Sequence, residues 1–173
     1  MAVIAIISIA ALVKLDDVEA APPGSAHPDM EIVVVGQQWW WEYHYYLDGT
    51  EGADAPDFVT ADEMIIPVDR DIQLYITSRD VIHSFWIPRL NGKRDAAPGR
   101  VHTWVIQSNE VGRFAGSCTE FCGLSHAYMR MYTVALPDDE FADWAANQAT
   151  PREPLSSIDP NYEGEQLFLA NCQ

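Results

Sequence analysis

Short runs rich in valine, isoleucine and aromatic residues recur along most of this 173-residue chain, and their close spacing limits the fold more than any other feature. The first, residues 30–46, holds Ile32, Val33, Val34, Val35, three consecutive tryptophans and Tyr43, Tyr45 and Tyr46, with a break expected near Gly36. Others follow at 64–68, 72–78, 81–87, 101–107, 112–117 and 131–136. None carries a helical period, so the expectation is an antiparallel β-sandwich or small barrel. Side chains alternate along a strand, which puts Trp39 and Trp41 on one face and Trp40 on the other.

Between these runs the charge is uneven. Residues 48–63 carry Asp48, Glu51, Asp54, Asp57, Asp62 and Glu63 with no base, and read as an acidic surface loop with Gly49, Gly52 and Pro56 as turn formers. Half of the ten bases fall between Arg79 and Arg100 (Arg79, Arg89, Lys93, Arg94 and Arg100), which suggests a second contact surface. The net charge of −16 excludes a nucleic-acid partner, because phosphate contacts need a basic surface, and suits a basic protein partner.

The chemistry concentrates in residues 118–129. Cys118, Cys122, His126 and Met129 lie within a dozen positions, and His83 comes from an earlier strand-like run. Thiolate, imidazole and thioether form the soft set expected for copper in electron transfer, whereas hard cations call for clustered carboxylates. Two thiolates four residues apart can bridge a pair of ions, imidazoles from His83 and His126 can cap them, and Met129 suits a weak axial position. Two other readings stay open at this point. Cys118 and Cys122 could form a disulfide, or the two cysteines and two histidines could hold zinc, which leaves Met129 without a role. His27, His44 and His102 lack ligand-like neighbours in sequence.

The loop Cys118-Thr119-Glu120-Phe121-Cys122-Gly123-Leu124-Ser125-His126-Ala127-Tyr128-Met129 does not stand alone. With Asp80-Val81-Ile82-His83-Ser84-Phe85-Trp86-Ile87-Pro88, Asp95-Ala96-Ala97-Pro98-Gly99-Arg100 and Gln38-Trp39-Trp40-Trp41, it resembles subunit II of haem–copper cytochrome c oxidase over residues 1–148. The resemblance implies an all-β, cupredoxin-like Greek-key barrel or sandwich with a short C-terminal helix, carrying the dinuclear copper centre called CuA. It implies that Cys118 and Cys122 bridge both coppers. One copper would also take His83 and Met129, and the other His126 and the backbone carbonyl of Glu120. The Glu120 side chain would reach a magnesium ion at the boundary with subunit I, and Trp39 would receive the electron from cytochrome c. The implied function is the electron-accepting subunit of a terminal oxidase whose oxygen chemistry lies in subunit I. The copper domain of nitrous oxide reductase is the alternative. A docking module of a quinol oxidase that has lost its copper is disfavoured by the presence of Cys118 and Cys122.

Set against that pattern, the ends of the chain carry further expectations. The apolar stretch 2–13 is about 12 residues where a span needs roughly 20, so residues 1–14 read as the end of a truncated transmembrane helix and 15–29 as a linker. Residues 30–136 would be the copper domain, on the outer, periplasmic face of a bacterial cell membrane. Pro137-Asp138-Asp139-Glu140, followed by Phe141, Trp144 and Ala145, predicts a helix over 137–149 with acids in its first turn. Pro151, Pro154 and Pro160 make 150–160 a linker. Residues 161–173, with Gly164, Phe168 and Cys172 at helical spacing, resemble the start of a cytochrome c domain whose haem-attaching C-x-x-C-H would come later. The donor would then be a cytochrome c, fused or separate, with oxidase subunit I and the membrane as further partners.

Overall fold

The computed structural model describes residues 2–18, 30–49, 54–151 and 153–171. A helix α1 (Ala2–Val18) precedes ten strands: β1 (Met30–Gln37), β2 (Trp40–Tyr46), β3 (Phe58–Ala61), β4 (Glu63–Pro67), β5 (Ile72–Ser78), β6 (His83–Trp86), β7 (Lys93–Ala96), β8 (His102–Ile106), β9 (Gly112–Ser117) and β10 (Arg130–Leu136). Helices α2 (Asp138–Ala149) and α3 (Tyr162–Asn171) follow. Among the described residues no helix is long and apolar enough to cross a membrane. Most of the expected linker at 15–29, together with His27 and Cys172, lies outside the described residues.

The strands form a five-stranded sheet in the order β3-β2-β1-β5-β8, a three-stranded sheet β4-β10-β9 and a two-stranded ribbon β6-β7. The all-β class is as expected, but the pairing is not purely antiparallel, since β1 runs parallel to β5 and β4 parallel to β10. Hydrophobic periodicity marks which face of a strand is buried and is silent on the direction of its neighbour. Two strands escape the sequence reading. β3 lies inside the acidic stretch taken as a surface loop, and β7 lies in the basic one, because their charged neighbours mask a short pairing segment that only its partner strand supplies. The tryptophan alternation also begins one residue late. Gln38 and Trp39 form the turn between β1 and β2, so Trp41, Tyr43 and Tyr45 point inward and are fully buried.

The core lies between the two larger sheets, with Ile32 and Val34 of β1, Leu74 and Ile76 of β5, and Met64 and Ile66 of β4 meeting Trp41 and Met131. α2 closes one end: Phe141 and Ala145 are buried, and Trp144 packs edge-on against Tyr45 and Phe58 at 5.4 and 5.3 Å. Close approach at the β9–β10 seam requires glycine. A Cβ on Gly116 would come to 2.5 Å from Met131 Sδ and 2.7 Å from the Trp86 carbonyl oxygen.

On the outward face of the large sheet, Glu42 gathers three partners: Gln37 Nε2 donates to it at 2.8 Å, Arg79 Nη2 at 2.9 Å, and the His44 ring closes the group. Burial alone would raise the Glu42 carboxyl, yet the His44 hydrogen bond and the Arg79 charge outweigh it and hold the pKa below its usual 4.5. A carboxylate depressed in the folded state adds stability above its unfolded pKa and loses it as pH falls through the folded value.

Two outcomes follow. Gly116→Ala should lower the unfolding free energy by about 1–3 kcal/mol in denaturant titration through overpacking. Acidification below pH 4.5 should reduce stability, and Glu42→Gln should flatten that dependence in titrations repeated across pH.

Candidate metal centre

The soft donors predicted from sequence converge at one pole of the sandwich. Cys118 follows β9 directly, and Met129 immediately precedes β10, so the antiparallel pairing of these strands brings the two ends of the loop together. The Cys118 amide donates to the Met129 carbonyl at 3.0 Å and the Thr119 amide to the Ser84 carbonyl at 3.0 Å, which ties the loop to β6. A one-turn 3₁₀ helix, His126–Tyr128, holds the second half, with the Met129 amide reaching back to the Ser125 carbonyl at 3.2 Å.

The two sulfurs are free thiols 3.8 Å apart, so they do not form a disulfide. The other donors all touch one sulfur or the other. His83 Nδ1 is 3.9 Å and the Glu120 carbonyl oxygen 3.3 Å from Cys118 Sγ; His126 Nδ1 is 3.5 Å and Met129 Sδ 3.8 Å from Cys122 Sγ. His83, Cys118, Cys122 and Met129 are all nearly inaccessible to solvent, while His126 is half-buried. His83, Cys118 and Cys122 form a group whose ligating atoms lie within 4.8 Å of one another.

This donor set fits copper. Burial is the main reason the Cys122 thiol is pushed up to about 12, with the neighbouring Cys118 adding to it. A cation beside Cys122 would favour its thiolate form. A buried thioether beside a thiol serves no purpose in a zinc site, and it suits a soft ion with an axial position to fill.

Supports around the ligands come from residues to which the sequence reading gave no role. Asp80 Oδ1 accepts from His83 Nε2 at 2.8 Å, which fixes the ring and leaves Nδ1 facing Cys118. Burial raises the Asp80 carboxyl, but the His83 bond and the backbone amides of Gln38 and Val81 bring it below its usual value. Gly36 lies under the same ring: a Cβ there would be 2.9 Å from His83 Cδ2. Trp41 stacks edge-on against His83 at 5.9 Å. Asp80 stands three residues before His83, the one sequence signal that could have marked it.

Trp39 Nε1 donates to the Cys122 carbonyl at 3.1 Å, so its indole touches the backbone of a thiol-bearing residue. The Glu120 side chain is exposed, and its Oε1 accepts from the Phe121 amide at 2.9 Å. His44 and His102 are elsewhere, bonded to Glu42 and to the Asp95 carbonyl.

With this geometry in view, relatives are informative. The family described as cytochrome c oxidase subunit II, periplasmic domain, matches residues 48–135. Cytochrome c oxidase subunit 2 of Alkalihalophilus pseudofirmus is 32% identical over 140 residues, covering 81% of this chain and 38% of the relative. The Branchiostoma lanceolatum protein of the same name is 31% identical, covering 76% of this chain and 60% of the relative. The chain thus spans less than two thirds of the length of these curated relatives. Among solved structures, the periplasmic domain of subunit II of cytochrome oxidase from Bradyrhizobium japonicum superposes with a TM-score of 0.64 at 31% identity, covering 71% of this chain and 95% of that one.

Asp80→Ala should cost roughly 10- to 100-fold in copper affinity by releasing the His83 ring. A competition titration returning the unaltered affinity would show that Asp80 does not orient the ligand.

Proposed function

Because the chain belongs to the cytochrome c oxidase subunit II family through its periplasmic domain, we propose that it takes electrons from a cytochrome c at a dinuclear copper centre and passes them to haem in subunit I of a terminal oxidase. The observation that carries this reading is the convergence of two free thiols, two imidazoles, a thioether and one backbone carbonyl at a single buried pole. The relatives named above are oxidase subunits, which favours this reading over the copper domain of nitrous oxide reductase.

A bound copper pair supplies a one-electron acceptor and donor whose unpaired electron spreads over both ions through soft sulfur. The chain's residues do the rest. Cys118 and Cys122 would hold both ions, His83 and Met129 would serve one, and His126 and the Glu120 carbonyl would serve the other. The donor's ferrous haem would give up one electron and become ferric, and Trp39, partly exposed and hydrogen-bonded to the Cys122 carbonyl, is the proposed point of entry. Burial of the sulfurs keeps water from the ligands, and loop closure through Cys118 and Met129 holds their spacing on redox change.

The remaining assignments extend the same reading. The exposed Glu120 carboxylate reaches a magnesium ion shared with subunit I. The basic stretch faces that subunit, where Lys93, Arg94 and His102 line a polar hollow of about 540 Å³ and Arg94 stacks 3.9 Å over Trp104. The domain stands on the outer face of the membrane, with the apolar α1 on the membrane side and 137–149 and 150–160 as a helix and linker. The exposed apolar side chains Leu167, Phe168 and Leu169 on α3 support reading this helix as part of a fused cytochrome c domain. Oxygen reduction takes place in subunit I.

Electron paramagnetic resonance of the copper-loaded chain should show one electron shared by two copper nuclei. A single-copper pattern, or no copper uptake, rules the reading out. Cys118→Ser should abolish the shared signal. Trp39→Phe, which deletes the indole N–H, should slow reduction by cytochrome c about tenfold, as expected for the loss of a hydrogen bond worth ~1.4 kcal/mol, with the copper spectrum intact.

A further inference from the structure

The hairpin that joins β1 to β2 has only Gln38 and Trp39 at its tip, and the tip is wedged between the two segments that carry the ligands. The Gln38 backbone amide donates to Asp80 Oδ2 at 2.7 Å, and the other oxygen of that carboxylate accepts from His83 Nε2 at 2.8 Å. The Gln38 side-chain amide donates to the Cys122 carbonyl at 2.7 Å, the same oxygen that accepts from Trp39 Nε1. One residue thus touches the support of an imidazole ligand with its backbone and the backbone of a thiol ligand with its side chain.

The fit leaves no slack. Gly123, the residue after Cys122, has φ +117°, and a Cβ there would stand 2.9 Å from Gln38 Nε2 and 3.2 Å from Trp39 Cζ2. The flanking side chains Phe121 and Leu124 are 74% and 95% exposed, and Phe121 packs only edge-on against His126 at 5.8 Å, so they do little to hold this part of the loop against β1 and β2. The two donors on the Cys122 carbonyl tie this part of the loop to the β1–β2 tip, and that of Gln38 is the shorter. A residue that only filled a turn would need neither the amide nor its length.

We propose that Gln38 is a positioning residue for electron uptake: it holds the Cys122 carbonyl against the Trp39 indole with its side chain and holds Asp80, and through it His83, with its backbone. The inference rests on the copper reading above. The side-chain bond acts on the contact across which the electron must pass, so its loss changes rate and spectrum and not only stability. Because Gln38 and Trp39 share one acceptor, their effects are coupled.

The test uses the full chain loaded with copper, with Gln38→Leu, which removes the amide, and Gln38→Glu, which keeps the length but sets a carboxylate against a carbonyl. Stopped-flow reduction by ferrous cytochrome c should slow roughly tenfold in Gln38→Leu and further in Gln38→Glu. The copper hyperfine and visible bands should shift in both while the two-copper pattern persists. Gln38→Leu combined with Trp39→Phe should slow the reaction by less than the product of the two single effects. Wild-type rates and spectra in both variants, with only the denaturation midpoint lowered, would overturn the proposal and leave the copper reading standing. A wild-type chain without a two-copper spectrum overturns both.

Discussion

The parallel pairing of β1 with β5 is the constraint on which the pole depends. Parallel neighbours end at the same edge of a sheet, so the residues that follow β1 and those that follow β5 emerge side by side. Gly36 is opposite Ser78, and the Arg79 amide donates to the Gly36 carbonyl at 3.0 Å. The β1–β2 tip with Trp39 is thereby set against the segment that carries Asp80 and His83. The β9–β10 pairing brings the cysteine loop to the same place, and Gly36, lacking a side chain, lets the His83 ring lie against β1.

That convergence is what makes the donor chemistry useful. The two sulfurs lie 3.8 Å apart and are buried, and burial raises the Cys122 thiol, so a bound cation would favour the thiolate and link metal binding to loop order. The ring of His83 is held from behind by a carboxylate and from the side by Trp41, which turns Nδ1 toward Cys118. Preorganisation of this kind suits a centre that must exchange electrons without rearranging its ligands.

Much of this was legible in the residues. The ligand types and their spacing in 118–129 announce a soft-metal loop, because the chemistry of thiolate, imidazole and thioether does not depend on the fold. β5 and β9 follow their apolar runs from end to end, and α2 follows its acidic first turn and its i, i+3, i+4 apolar face. The choice among copper, zinc and a disulfide was not legible from chemistry alone, since it turns on whether the sulfurs are bonded to each other and whether Met129 shares their pocket. Asp80 and Gln38 head two of the quoted motifs yet had no role assigned, because what each does depends on hydrogen bonds between segments far apart in sequence, Gln38 to Asp80 and to Cys122.

By itself, the sequence determined most of the strand runs and the donor set, which follow from side-chain chemistry and local periodicity. The tertiary structure decided strand direction, the membership of β3 and β7, the place of Trp39 in a turn instead of on the face of Trp41, and the meeting of three chain segments at one pole. Those outcomes rest on pairings between residues far apart in the chain, where backbone hydrogen bonds form with whichever strand the packed core brings alongside.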